Sequence, residues 1–385
     1  LFKKIQFNSK LFLNSHLSRT FKSNVRPVIK EKIGTNLHTK SHHPIGIVKS
    51  QIDKFFETDL KHLSFQFNDH MSPIVSTTDN FDALLIPEDH VSRSLSDTYY
   101  TKVDEVLRTH TTVHTPQCLK LGQTRFLNTG DVYRRDEIDR THYPVFHQMD
   151  GVRVVSKDEY LQNKEGDETH IEYVIRDLKN TLEGVARSLF GDVEMKWQDD
   201  YFPFTNPSFE LNIIWKGEEI EVLGSGILRE DIMAKSNIDT STNIAWAFGL
   251  GLDRLAMILF NIPDIRLFWT EDERFHKQFE SGEIIEFTPY SKYPGTYRDI
   301  SFWVDEDSFE QNDFFEIARE YGKDLIEEIK IVDVFKHPKK QKTSMCFRIL
   351  YRSMDRSLTN EEINFIQNEV IKRVVTDLNI ELRDG

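Results

Sequence analysis

The chain has 385 residues, 38% hydrophobic and 29% charged, with a formal net charge of −14; these are the proportions of a globular protein with room for two domains. It contains no run of about 18 apolar residues, which excludes a helical membrane span. Its two cysteines, Cys118 and Cys346, stand far apart with no second cysteine near either, which excludes a disulfide framework and a cysteine-based zinc site.

The charge is unevenly spread. Residues 1–30 carry seven basic side chains (Lys3, Lys4, Lys10, Arg19, Lys22, Arg26 and Lys30), no Asp or Glu, and Ser9, Ser15, Ser18 and Ser23. A basic, acid-free, serine-bearing start is the composition of a mitochondrial transit peptide. A basic arm that touches RNA has the same composition. Without those seven, 42 of the 49 basic residues face 63 acidic ones, a net −21. Any contact with nucleic acid must then come from a local basic patch.

After the tail, Pro44 opens an amphipathic helix through about Glu57, with Ile45, Val48, Ile52 and Phe55 at helical spacing. A Ser/Asp/Pro-rich region runs to about Asp97. Two strand-like runs then flank a charged loop near Arg135–Tyr143. A second helix is predicted at 169–190, striped by Ile171, Val174, Ile175, Leu178, Leu182, Val185 and Leu189, with Gly191 as C-cap. Residues 207–224 alternate like antiparallel strands. Gly249–Phe260 is apolar almost all round and reads as a buried helix. From about 290 the order is strand, helix, strand, strand, helix, strand, the βαββαβ ferredoxin-like pattern. The expected organisation is a leader at 1–30, a first domain at 31–285 and an α+β domain at 286–385.

The chemistry concentrates in two segments. On the strand after the charged loop, Phe146, Gln148 and Asp150 share one face, because alternate strand residues do. An aromatic, an amide and a carboxylate suit a site that stacks on a base and grips an ammonium. Arg134 and Asp136 share a face before the loop. A solvated hairpin carries similar residues, so this segment alone does not decide. The second segment, Ala245–Phe260, sets Arg254 inside an apolar run. A buried charge needs a partner: Asp253, another acid or a ligand phosphate. Gly249 and Gly251 permit close backbone approach. The chain has no G-x-x-x-x-G-K-[ST] loop, no third glycine after Gly224-x-Gly226, and no H-E-x-x-H. Its closest histidine groups, His42–His43 and His142/His147, lack metal-ligand spacing, so no protein metal site is expected.

These segments resemble the class II aminoacyl-tRNA synthetases. Arg134 in "VYRRDE" and Arg254 in "FGLGLDRLAM" look like the arginines of that class's second and third motifs. "NFDAL" (80–84), "LRTHTT" (107–112), "THYPVFHQMDG" (141–151), "YFPFTNPSFE" (201–210), "EVLGSG" (221–226) and "IPDIRLFW" (262–269) are similar to the phenylalanyl enzymes. The resemblance covers about 43–385. It implies an antiparallel sheet flanked by helices, followed by a ferredoxin-like anticodon-binding domain. It implies activation of phenylalanine with ATP and transfer to tRNA(Phe). Carried over residue by residue, Arg134 meets the α-phosphate, Arg254 the triphosphate end, and Phe146 stacks on adenine; Asp136 and His142 join the ATP set. His110, Thr112, Gln148 and Asp150 orient the amino acid. Phe202, Phe204 and Ala247 line the ring pocket, with Glu221 and Phe248 in matching motifs. Mg²⁺ is expected on the triphosphate without a dedicated protein cage. The resemblance further implies a monomer of the mitochondrial matrix.

The sequence departs from the family at Thr112, usually Ser, and at Asp150, usually Glu. His70–Asn80 matches the dimer motif only loosely, which suits a monomer. Lys336, Lys339, Lys340, Lys342, Arg348, Arg352 and Arg356 face a single acid, Asp355, within 336–356. With Phe347 and Tyr351 interleaved, they form the candidate tRNA patch; the same aromatics also read as core. A catalytically silent RNA-binding relative and a ligase for another amino acid are the rival readings. The retained arginines, Gln148 and Asp150 argue against the first, and "YFPF" with Ala247 against the second.

Overall fold

The computed structural model describes residues 21–290, 293–306, 308–338 and 342–383. Residues 1–20 of the expected leader, and Lys339 and Lys340 of the candidate patch, lie outside them. Among the described residues no helix is long and apolar enough to cross a membrane.

The first domain is built on a seven-stranded sheet. Its strands are β1 (Gln66–Asn68), β2 (Arg125–Tyr133), β3 (Val145–Ser156), β4 (Met195–Asp200), β5 (Thr205–Trp215), β6 (Glu218–Leu228) and β7 (Asn243–Gly251). They lie in the order β1-β2-β3-β7-β6-β5-β4. Only the β1–β2 pair is parallel. The order places β3 beside β7, with Gln148 opposite Gly251 and Asp150 opposite Gly249. Thus the two segments that carry the chemistry are neighbours although a hundred residues separate them.

Helices cover one face. In α2 (Pro44–Thr58), Ile45, Val48, Ile52 and Phe56 are buried; Phe55, expected in that stripe, is only half-buried. In α3 (His170–Phe190), Val174, Leu178, Leu182 and Val185 are fully buried, each contributing roughly 1.5–3 kcal/mol of hydrophobic stabilisation. Thr169 caps this helix in a reciprocal box with Glu172. Ile171 sits in the first turn and is exposed, because the stripe has not yet rotated onto the sheet.

The predicted helix 249–260 is divided. Residues up to Gly251 belong to β7, and α4 runs Leu252–Phe260. An all-apolar run fits a buried strand as well as a buried helix, and pairing with β3 decides for the strand. Arg254 is accordingly not a buried charge: its side chain is 61% exposed and pairs with Glu221 at 3.1 Å. The buried acid is Asp253, which accepts the His147 backbone N–H at 2.6 Å.

The second domain has strands β8 (Thr296–Val304), β9 (Ile326–Lys336), β10 (Thr343–Tyr351) and β11 (Glu381–Leu382), with helices α5 (Gln311–Gly322) and α6 (Asn360–Asp377). Their sheet order, β9-β10-β8-β11, is antiparallel throughout. Phe302, Phe314, Phe347, Ile349 and Tyr351 fill its core, so the two aromatics of the candidate patch are core residues.

The chain joins the fold earlier than its composition suggests. Asn24 donates to the carbonyls of Leu95 and Thr98, Val25 and Ile29 are buried, and Arg26 pairs with Glu320 of α5 at 2.9 Å. The expected boundary at residue 30 falls at the end of the short helix α1 (Pro27–Lys30), so that the helix lies wholly on the leader side of it. Hydrophobic burial of two aliphatics outweighs the basic character that made the segment read as leader.

Candidate active site

One face of the sheet opens into a cavity of about 580 Å³. It is lined from β3 by Phe146, Gln148 and Asp150, from β6 by Glu221 and Gly224, from β7 by Ala247 and Gly249, and from the β4–β5 connection by Phe202 and Phe204. His110, Thr112, Arg134, Asp136, His142 and Arg254 complete the wall. Every residue proposed from sequence for ATP and amino acid thus borders one cavity. Phe248 does so without its ring: strand alternation sends that ring to the helical side, where it lies 6.3 Å from Phe56 and 6.1 Å from Trp246.

At the closed end, the Phe202 and Phe204 rings are near-parallel, 5.9 Å apart. Phe202 fits there because residue 224 is glycine: a Cβ on Gly224 would lie 2.6 Å from its Cζ. Beside this pair, Thr112 Oγ1 donates to Asp150 at 2.7 Å and Thr111 Oγ1 donates to the second oxygen. Burial pushes the Asp150 carboxyl up to about 6 against those two hydrogen bonds and the Arg134 and Arg108 charges. Burial, aided by the charge of Arg134, holds the His110 imidazole down to about 3, so it is neutral. Gln148 Oε1 has no partner among the described residues, and the His110 ring nitrogens have none of good geometry, with only the Asn80 backbone nearby. Buried polar atoms without partners are uncommon, and here they converge beside a carboxylate and an aromatic wall. Thr111 escaped the sequence reading, because a threonine next to Thr112 carries no distinguishing signal.

At the open end the chemistry changes to cations. The Arg134 guanidinium lies 5.2 Å from the Phe146 ring centre and donates through Nε to the Thr109 carbonyl at 3.0 Å. Arg254 faces the cavity from the start of α4. The loop between β2 and β3 borders this end and is gripped from behind by the second domain. Arg135 pairs with Asp313 at 2.7 Å and Arg140 with Glu327 at 2.6 Å. Ile138 is buried in the second domain's core. Glu327, fully buried, also meets Arg266 at 3.4 Å and Arg352 at 2.9 Å. Arg352 therefore belongs to the interdomain seam and leaves the candidate tRNA patch.

Among the described residues, the rest of that patch is paired. Lys336 meets Glu306 at 2.8 Å, Lys342 meets Glu381 at 3.1 Å, and Arg348 makes two 2.8 Å bonds to Asp299. What the sequence did not reveal is the aromatic content of the sheet face away from the helices. Tyr297, 57% exposed, lies under Arg348 at 4.4 Å; Trp303 and Phe335 stand 6.3 Å apart near Arg383. Strand alternation carries the signal, but only the register of β8 against β10 says which alternate residues face out.

An antiparallel sheet with a cationic open end and a strand–loop–strand arginine opposite a strand–helix arginine defines the class II aminoacyl-tRNA synthetases. Residues 29–279 match the class II tRNA synthetase core domain (F), and residues 291–383 match the ferredoxin-fold anticodon-binding domain. The chain is 53% identical to the chloroplastic/mitochondrial phenylalanine–tRNA ligase of Arabidopsis thaliana, over 94% of this chain and 83% of that protein. It is 46% identical to the mitochondrial enzyme of Dictyostelium discoideum (94% and 89% covered) and 43% to that of Mus musculus (94% and 86%). The chain belongs to the mitochondrial phenylalanine–tRNA ligases, and its activity is the aminoacylation of tRNA(Phe).

Proposed function

We propose that the cavity performs both half-reactions in a monomer of the mitochondrial matrix, with the amino acid at the closed end and ATP at the open end. The observation that carries this is the pairing of polarity and shape along one cavity. The His110 ring, the unpartnered Gln148 Oε1 and the Asp150 carboxylate adjoin the Phe202–Phe204 wall, and two arginines border the other end.

The phenylalanine ring lies against Phe202 and Phe204 and over Ala247. Its ammonium meets Asp150 and the hydroxyl of Thr112, and Gln148 and His110 orient the backbone. The phenylalanine carboxylate is ionised at neutral pH, so its attack on the α-phosphorus, with pyrophosphate leaving, needs no general base. The protein's task is alignment and charge neutralisation. Adenine and the Arg134 guanidinium compete for the Phe146 face, so nucleotide entry swings Arg134 from the ring onto the α-phosphate. Likewise the triphosphate draws Arg254 away from Glu221. Released Glu221, with Glu210 beside it, offers the carboxylate oxygens that suit Mg²⁺, which supplies further positive charge at the triphosphate when bound. In the second half-reaction the phenylalanyl group passes from the adenylate to a hydroxyl of the terminal ribose of tRNA, and AMP leaves.

Single-stranded anticodon bases have Tyr297, Trp303 and Phe335 to stack on, with Arg348 and Arg383 adjacent. Amino-acid-dependent ATP–pyrophosphate exchange across all twenty amino acids tests the reading. Exchange with phenylalanine, lost in Arg134→Ala, is the expected result. Exchange with another amino acid alone refutes the assignment of the closed end; none with any returns the silent, RNA-binding relative.

A further inference from the structure

We propose that Asp139 is a positioning residue for the nucleotide step, holding the His142 ring so that its Nε2 faces the triphosphate; this rests on the assignment of His142 to ATP. The argument begins with the loop. Asp139 Oδ1 accepts the backbone N–H of Thr141 at 2.6 Å and of His142 at 2.8 Å, and the Thr141 hydroxyl at 2.9 Å. Its Oδ2 takes His142 Nδ1 at 2.7 Å. One carboxylate thus folds the turn and orients the ring. With Nδ1 engaged, Nε2 is the nitrogen left to a ligand, and His142 lines the cavity with Arg134 and Arg254. A Nδ1–carboxylate bond fixes which ring nitrogen is free. It also means that Nε2 carries a proton only when the ring is charged, and a charged ring donates a stronger hydrogen bond to phosphate.

The neighbourhood supports that charge. Burial opposes it, but Asp139, then Asp136 and Glu137 on the same loop, raise the ring above its ordinary 6.5. Arg266 of the first domain and Arg319, Lys323 and Asp324 of the second line the small cleft behind His142 and Tyr143. Glu137, Asp139 and His142 could also group round a cation, but both Asp139 oxygens are already occupied within the loop.

The test is ATP-dependent exchange against pH in four proteins: wild type, Asp139→Asn, His142→Gln and the double variant. In Asp139→Asn the new side chain keeps one oxygen for the turn and points its amide N–H at Nδ1. The ring then stays neutral to lower pH with the proton on Nε2. Asp139→Asn is expected to raise the KM for ATP about tenfold at pH 7 and leave the KM for phenylalanine unchanged. The wild-type fall in kcat/KM for ATP at rising pH should move to lower pH and become shallower. In the His142→Gln background the Asp139 change should add nothing. An equal effect of Asp139→Asn in both backgrounds overturns the proposal and leaves only a turn-forming role. An impaired His142→Gln beside an unaffected Asp139→Asn overturns the positioning alone. A His142→Gln enzyme with normal ATP kinetics overturns the ATP role of His142, and this proposal with it.

Discussion

Both carboxylate oxygens of Asp150 are bonded by threonine hydroxyls, yet the residue is only 6% exposed and has no cation hydrogen-bonded to it among the described residues. Its carboxyl rises from 3.8 to about 6 in the fold. The folded state therefore holds the proton more tightly than the unfolded chain. Below about pH 4 both states are protonated and no penalty exists. As pH rises through the window from about 4 to 6, the native state loses stability, reaching ~3 kcal/mol at neutral pH. In the proposed function, phenylalanine's ammonium supplies the missing cation. Asp150→Asn should accordingly melt several degrees higher than wild type at pH 7 while its KM for phenylalanine rises at least tenfold. Wild-type phenylalanine affinity, followed by calorimetry, should strengthen from pH 5 to 7 with a midpoint near 6, and the variant should lose that dependence. A variant that melts lower at pH 7 would refute the strained-carboxylate account.

Among the elements, β6 and β7 form the floor of the site, and their glycines keep it open. A methyl at residue 224 has no room beside Phe202. Gly224→Ala should push that ring into the cavity and raise the KM for phenylalanine about tenfold, with the KM for ATP unchanged. Equal rises in both would place the damage in the sheet and not in the ring pocket. The same pair of strands marks a limit of sequence reasoning. Arg134, Gln148, Asp150 and Arg254 stood out as candidates through their chemistry at strand spacing or in an apolar run, but the first three, read alone, fitted a solvated hairpin equally, and it was the resemblance of both segments to one family that made them a candidate site. The division of 245–260 into strand and helix was not legible, since a run apolar on every side has no period to read. That division moved Arg254 from an imagined interior to the cavity wall and made Asp253 the buried acid.

For the whole molecule, the two domains meet through charge. Glu327, at 0% side-chain exposure, is held by three arginines, and Glu316 by Arg319 and the Tyr99 hydroxyl. Residues 24–30 strap the same seam, tying the first domain to α5 through Asn24, Ile29 and Arg26. A chain begun at residue 31 loses two buried aliphatics, roughly 3–6 kcal/mol, and should melt markedly lower than one begun at residue 21. Equal melting temperatures would show the strap to be dispensable.

The sequence by itself determined what local pattern can encode: the amphipathic helices, the βαββαβ order, the residue types of the site and the family they resemble. Periodicity and side-chain chemistry are properties of neighbours along the chain. The tertiary structure alone decided that β3 lies beside β7, and which phenylalanine rings face the cavity. It also decided that Lys336, Lys342, Arg348 and Arg352 are paired with acids, and that residues 24–30 belong to the fold. Each of these depends on partners distant in sequence, whose burial and charge no local pattern records.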